Sequence, residues 1–171
     1  MQDLMLETPV DVLNYALTLE HLEHAFYRDG LEEFTAEDFT AASYSANVYD
    51  YFGLIRDHER EHVDTITQVI TDLGGEPVAE AEYDFGYSDL AGFLGVAQVL
   101  ENTGVSAYQG AAQFLIDEDE LLTAALTIHG VEARHAAYLN GLQGDSPFPD
   151  AVNPTLTPDE VLAAAGPFIV S

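Results

Sequence analysis

Two Glu-x-x-His pairs, Glu59-Arg60-Glu61-His62 and Glu132-Ala133-Arg134-His135, constrain this chain more than any other feature. On a helix, residues three apart share a face about one turn apart, so each carboxylate and imidazole converge on one point. The spacing itself is common; the neighbours carry the meaning. Steps of four and three around the later pair give Leu121, Ala125, Ile128, Glu132, His135, Leu139 and Leu142. Around the earlier pair they give Val48, Phe52, Ile55, Glu59, His62, Ile66, Val69 and Leu73. Both series are apolar stripes of the kind a helix buries, and the Glu and His are their only polar members. A solvated Glu that happened to precede a His would sit on the outer face. A carboxylate on the buried face is costly unless it is paired or bound to a metal.

Two further stripes read Leu13, Leu17, Glu20, His24, Tyr27, Leu31 and Leu90, Leu94, Ala97, Glu101, Gly104, Tyr108, Ala111, Leu115. Each carries an inward Glu with a Tyr seven residues on. Four helices thus supply four inward Glu and two inward His. That is the donor set of dimetal carboxylate bundles: one Glu from each of two helices, Glu-x-x-His from each of the others. Together with Leu19-Glu20-His21-Leu22-Glu23-His24-Ala25-Phe26-Tyr27, these motifs resemble the ferritin-like superfamily, in its rubrerythrin-like form. The segment Thr155-Leu156-Thr157-Pro158-Asp159-Glu160-Val161-Leu162-Ala163 is similar to the branch containing desiccation-related proteins. The resemblance covers nearly the whole chain.

The expected fold is all-α: a ferritin-like four-helix bundle over residues 1–145, then a tail over 146–171 with a short helix packed on the bundle. Thr8-Pro9-Val10-Asp11 opens the first helix, with Thr8 as N-cap, and the helix runs to about Gly30. Residues 34–40 form a connection with a short turn capped by Thr35. The second helix starts between Ala41 and Ser45 and stops at Gly74-Gly75. Residues 76–87 read as extended, with Tyr83, Phe85 and Tyr87 alternating with Asp84 and Gly86. Twelve extended residues reach about 40 Å, the length of a helix of about 26 residues. The segment can therefore cross the bundle end to end and leave the second and third helices parallel, the one long crossover of ferritin-like bundles. Ser88-Asp89 caps the third helix, which runs to about Ile116, and Asp117-Glu118-Asp119-Glu120 reads as a capping box for a fourth ending near Gly141 or Gly144. Glu101 and Glu132 lie at nearly equal distances from Asp117, so an antiparallel pair brings them level. The halves repeat: Glu20, Tyr27, Glu59, His62 against Glu101, Tyr108, Glu132, His135. Thr157-Pro158-Asp159-Glu160 opens the short tail helix, and residues 167–170 pack back on the bundle.

Composition excludes several classes. The chain has no Cys, so it holds no disulfide, thiolate site or iron–sulfur cluster. No apolar run approaches about 18 residues, so no membrane span is expected. Met1 to Glu7 lacks the basic and apolar segments of a signal peptide, and a cytoplasmic location is expected. The net charge is −27, with four Arg and no Lys. Such a surface does not bind nucleic acid. Its self-repulsion is screened only in concentrated salt, and the simplest reading is a protein of a salt-accumulating halophile.

The resemblance implies two divalent ions, iron first and manganese as the alternative, with Glu59 and Glu132 bridging. Glu20 with His62 and Glu101 with His135 is one assignment of the terminal ligands; the exchanged pairing stays open. Tyr27 and Tyr108 are read as hydroxyl donors to ligand carboxylates, with aromatic core packing the alternative. Glu23 and His24, one turn beyond Glu20, could also reach inward. His58, His21 and His129 are read as exposed or structural, and Glu61 stays outside the set. The implied function is an oxidoreductase reacting with O2 or peroxide, of ferroxidase or peroxidase type, in oxidative-stress defence. Its electron donor is external, since no Cys is present to bind a rubredoxin-type iron. A homodimer is compatible. The alternative is a non-catalytic metal-binding, storage or desiccation-related protein.

Overall fold

The structure, a computed structural model, describes residues 6–170. Residues 1–5, on which most of the signal-peptide reading falls, and residue 171, the last of the tail, lie outside the described residues.

Four long helices form the bundle: α1 (Pro9–Glu33), α3 (Asn47–Asp72), α4 (Leu90–Ala111) and α5 (Asp119–Leu142). A short α2 (Ala36–Ala41) joins the first two, and α6 (Pro158–Ala165) lies in the tail. Threonine sets three of the starts. Thr8, Thr35 and Thr157 each form a capping box with the carboxylate three residues on. The expected turn at Thr35 is therefore a helix of its own, and α3 starts at Asn47, past the expected window. The box expected at residues 117–120 does not form. Helix α4 tightens into a 3-10 turn (Ala112–Leu115), the Glu118 amide closes onto the Leu115 carbonyl, and Glu118 caps α5 without a side-chain bond. The turn geometry supplies the start that the side chains were expected to supply.

Side-chain contacts give the directions of the helices. Leu13 and Leu17 near the start of α1 pack on Ile66 and Ile70 near the end of α3, and Tyr27 meets Phe52 at the other end. Helices α1 and α3 are antiparallel. The segment after α3 then runs back along α1. Asn14 holds both the Glu76 carbonyl and the Val78 amide, His21 reaches the Val78 carbonyl, and Arg28 pairs with Glu80. Phe85 and Tyr87 finally pack on Phe26. Phe93, at the start of α4, lies against Phe26, Phe34 and Phe52. Since Phe52 is near the start of α3, α3 and α4 begin at the same end and run parallel. The crossover is long and extended, with Phe85 buried and Asp84 and Gly86 exposed as the alternation requires. Gln98 and Asn102 of α4 bond Asn140 of α5, which makes that pair antiparallel.

The tail closes over this frame. Leu156 donates to the Ser106 carbonyl, Val161 is fully buried, and Tyr83 pairs with Ile169 in an isolated antiparallel bridge. Among the described residues no helix is long and apolar enough to cross a membrane.

One expected stripe is only partly covered. Glu132, His135 and Leu139 of α5 are buried, but Leu121, Ala125 and Ile128 are half-exposed. From Ile128 onward helices α3 and α5 part and leave an open groove of about 580 Å³. Its walls include Tyr51, His58, His62, Val131, Arg134 and His135.

Candidate metal centre

The apolar stripes carry their polar members to mid-bundle. Glu20, Glu59, Glu101 and Glu132 are each 0% exposed, and His62 and His135 are 7% and 6% exposed. All six expected residues meet. The donor atoms of Glu20, Glu59, His62 and Glu132 lie within 4.8 Å of one another, and so do those of Glu59, Glu101, Glu132 and His135. The two sets share Glu59 and Glu132. They also group Glu20 with His62 and Glu101 with His135, a choice the spacing alone left open.

Hydrogen bonds from His62 to Glu20 and Glu59 account for part of this cluster but not for all of it. His62 Nδ1 stands 3.1 Å from Glu20 Oε2, 3.0 Å from Glu59 Oε2 and 3.2 Å from Glu132 Oε1. One N–H cannot serve three carboxylates. An octahedral ion with ligands at about 2.1 Å sets neighbouring donors about 3 Å apart, which matches. His135 Nδ1 lies 3.0 Å from Glu59 Oε1 and 3.3 Å from Glu101 Oε2. Yet these three atoms, and both oxygens of Glu132, are sealed from water without an aligned hydrogen bond. Buried oxygens and nitrogens in that condition are costly. A shared cation would satisfy them, and oxygen donors with imidazole are the chemistry of iron and manganese sites.

Electrostatics agree. Burial pushes the Glu59 carboxyl up to about 7, against the adjacent imidazoles of His135 and His62, which pull it down. Burial and then the Glu59 charge hold Glu132 well above the usual range. Burial alone would lower the imidazoles, but Glu132, Glu20 and Glu59 hold His62 up at about 12, and Glu101 and Glu59 hold His135 at about 10. Without an ion the cluster keeps protons in place of one.

The two tyrosines bond across the halves. Tyr27 of α1 donates to Glu101 Oε1 of α4 at 2.7 Å, and Tyr108 of α4 donates to Glu20 Oε1 of α1. Each hydroxyl occupies one oxygen of its Glu and leaves the other facing an imidazole. Burial, reinforced by the neighbouring carboxylate, raises both phenols well above their usual range and keeps them neutral donors.

Two residues outside the expected set belong here. Glu23 is 4% exposed, and burial followed by the charge of Glu132 raises it strongly. It occupies the space over Gly104, where an added Cβ would come within 3.0 Å of Glu23 Oε1 and 3.5 Å of Glu132 Oε2. The repeat carries this signal: three residues past Glu20 stands Glu23, and three past Glu101 stands Gly104. The second is His58. It is exposed on the groove, as expected, but its Nδ1 also lies 3.0 Å from Nε2 of His135. His24 is half-buried, and its electrostatic neighbours are Arg28, Glu80, Arg60 and His21 rather than the cluster. His21 binds the crossover. His129 is half-buried and joins neither donor set. Glu61 is exposed on the groove wall.

Residues 8–145 match the model of a family described as a ferritin-like domain. Protein rds1 of Schizosaccharomyces pombe is 28% identical over 160 residues, covering 92% of this chain and 38% of that protein. The chain thus spans less than two fifths of the length of this curated relative.

Proposed function

The chain belongs to the ferritin-like domain family, and from that premise we propose that it is a dimetal carboxylate oxidoreductase acting on O2 or peroxide. The observation that carries this reading is the pair of donor sets sharing Glu59 and Glu132, with buried oxygens that lack any other partner. Glu59 and Glu132 would bridge two divalent ions, iron or manganese. Glu20 with His62, and Glu101 with His135, would complete one position each. Four carboxylates neutralise two divalent ions, which suits a site closed to water. The ions would supply electrons to an oxygen substrate, with reducing equivalents restored from outside.

The chain's own residues account for the rest. Tyr27 and Tyr108 fix the orientation of Glu101 and Glu20 by holding their outer oxygens. Phe52, Phe93, Leu94 and Leu139, each fully buried, exclude water around the bundle interior. The groove between α3 and α5 brings small molecules to the imidazole side of the centre, where His62 and His135 form part of its wall.

The test is metal content by mass spectrometry of protein from its native host or refolded with iron or manganese, paired with O2 and peroxide consumption by the ferrous form. Two ions with turnover is expected. Glu132→Ala removes a shared ligand and should hold at most one ion. Two ions without turnover would replace the enzyme reading by storage, and equal content in wild type and Glu132→Ala would overturn the site.

A further inference from the structure

The two ends of the centre differ outside the donor sets. His58 Nδ1 and His135 Nε2 are 3.0 Å apart, the ring planes are within 9°, and the ring centres are 5.2 Å apart. The centre-to-centre distance equals the nitrogen–nitrogen distance plus the two ring radii. The imidazoles therefore lie edge to edge in a common plane, joined by one aligned N–H···N bond, and do not face each other. His62 has no counterpart. Its Nδ1 faces Glu20, Glu59 and Glu132, and among the described residues no hydrogen bond to its Nε2 is present. The repeat explains the difference. His58 immediately precedes Glu59, whereas Val131 immediately precedes Glu132. Both border the same groove, and valine cannot accept a hydrogen bond.

We infer that His58 is a positioning residue for the ion held by Glu101 and His135, and that this ion binds more tightly than the one held by Glu20 and His62. The inference rests on the dimetal reading above. A neutral imidazole has one N–H and one lone pair. For His135 to ligate through Nδ1, its proton must be on Nε2. His58 Nδ1 accepts that proton's hydrogen bond, which selects the binding tautomer and holds the ring plane. The proton of His58 then stands on its own Nε2. His62 must adopt its tautomer and orientation unaided, so its ion carries that entropic cost.

The experiment is an equilibrium titration of metal-free protein with Co(II), followed by visible absorption and calorimetry, in wild type, His58→Ala, His58→Asn and Val131→His. Wild type should bind in two resolved steps. His58→Ala should weaken the tighter step about 10- to 100-fold and leave the weaker one in place. His58→Asn, whose amide oxygen falls near the position of Nδ1, should recover most of that loss. Val131→His should strengthen the weaker step. His58 and Val131 both border an open groove, so neither change removes core packing. The inference is overturned if His58→Ala leaves both steps unchanged, if it weakens both equally, or if Asn is no better than Ala. Fewer than two Co(II) in wild type would remove the dimetal reading itself, and this inference with it.

Discussion

Five buried carboxylates, Glu20, Glu23, Glu59, Glu101 and Glu132, share one interior with two imidazoles, and the protons on Glu23, Glu59 and Glu132 bear on how stable the metal-free protein is. Glu59 moves from an ordinary value of 4.5 to about 7, and Glu23 and Glu132 move well up. A raised value means that the folded state binds more protons than the unfolded one. Stability from these groups is complete below about pH 4.5 and declines as pH rises through 7. His62 and His135 are raised as well, to about 12 and about 10, so the decline continues above their ordinary 6.5. The thermal midpoint of chelator-treated protein, measured in molar salt, should fall by several degrees between pH 5 and 7, and bound metal should flatten the curve, because the ions displace the protons. A chelated protein whose midpoint is flat or rises over that range would contradict it. The six residues of the donor sets were legible in the sequence because each interrupts an apolar stripe. His58 was not, because it stands beside its stripe and its partner is 77 positions away. Glu23 was half-legible. Its inward reach depends on the space over Gly104, and periodicity does not show space.

At the level of the elements, the threonine boxes and the crossover were legible because their causes are local: a hydroxyl, a carboxylate three residues on, a run of alternating aromatics. The start of α5 was not, since a 3-10 turn at the end of α4 sets it. Nor was the part-exposed first half of α5, which depends on how far α3 stands away. The tail packs by close backbone approach at Gly110, where a Cβ would land on the carbonyl of Leu156. Gly110→Ala should therefore lift Leu156 from Ser106 and destabilise the fold by about 1–3 kcal/mol, as overpacking does. Chemical denaturation would give that loss, and limited proteolysis should cut faster within residues 146–157 of the variant than of wild type. An unchanged denaturation midpoint would show that the tail contributes little to holding the bundle.

For the molecule as a whole, charge is the dominant property. Thirty-one acidic residues face four Arg, and among the described residues Arg28 and Arg56 make ion pairs with carboxylates, at the surface. The remaining repulsion is relieved by salt, since the Debye length falls to about 3 Å at 1 M. The thermal midpoint should rise with potassium chloride from about 0.1 to about 2 M, a span over which screening passes from partial to nearly complete. A midpoint indifferent to salt would argue against adaptation to brine. The crossed tyrosine bonds carry one more consequence. Tyr27 reaches a residue 74 positions away and Tyr108 one 88 positions away. On a ribosome, α1 and α3 emerge first, their acids still in water. Nothing in that half can close the centre until residue 135 has left the exit tunnel. A complete donor set therefore forms only in chains whose crossover has already been laid and whose α5 has emerged.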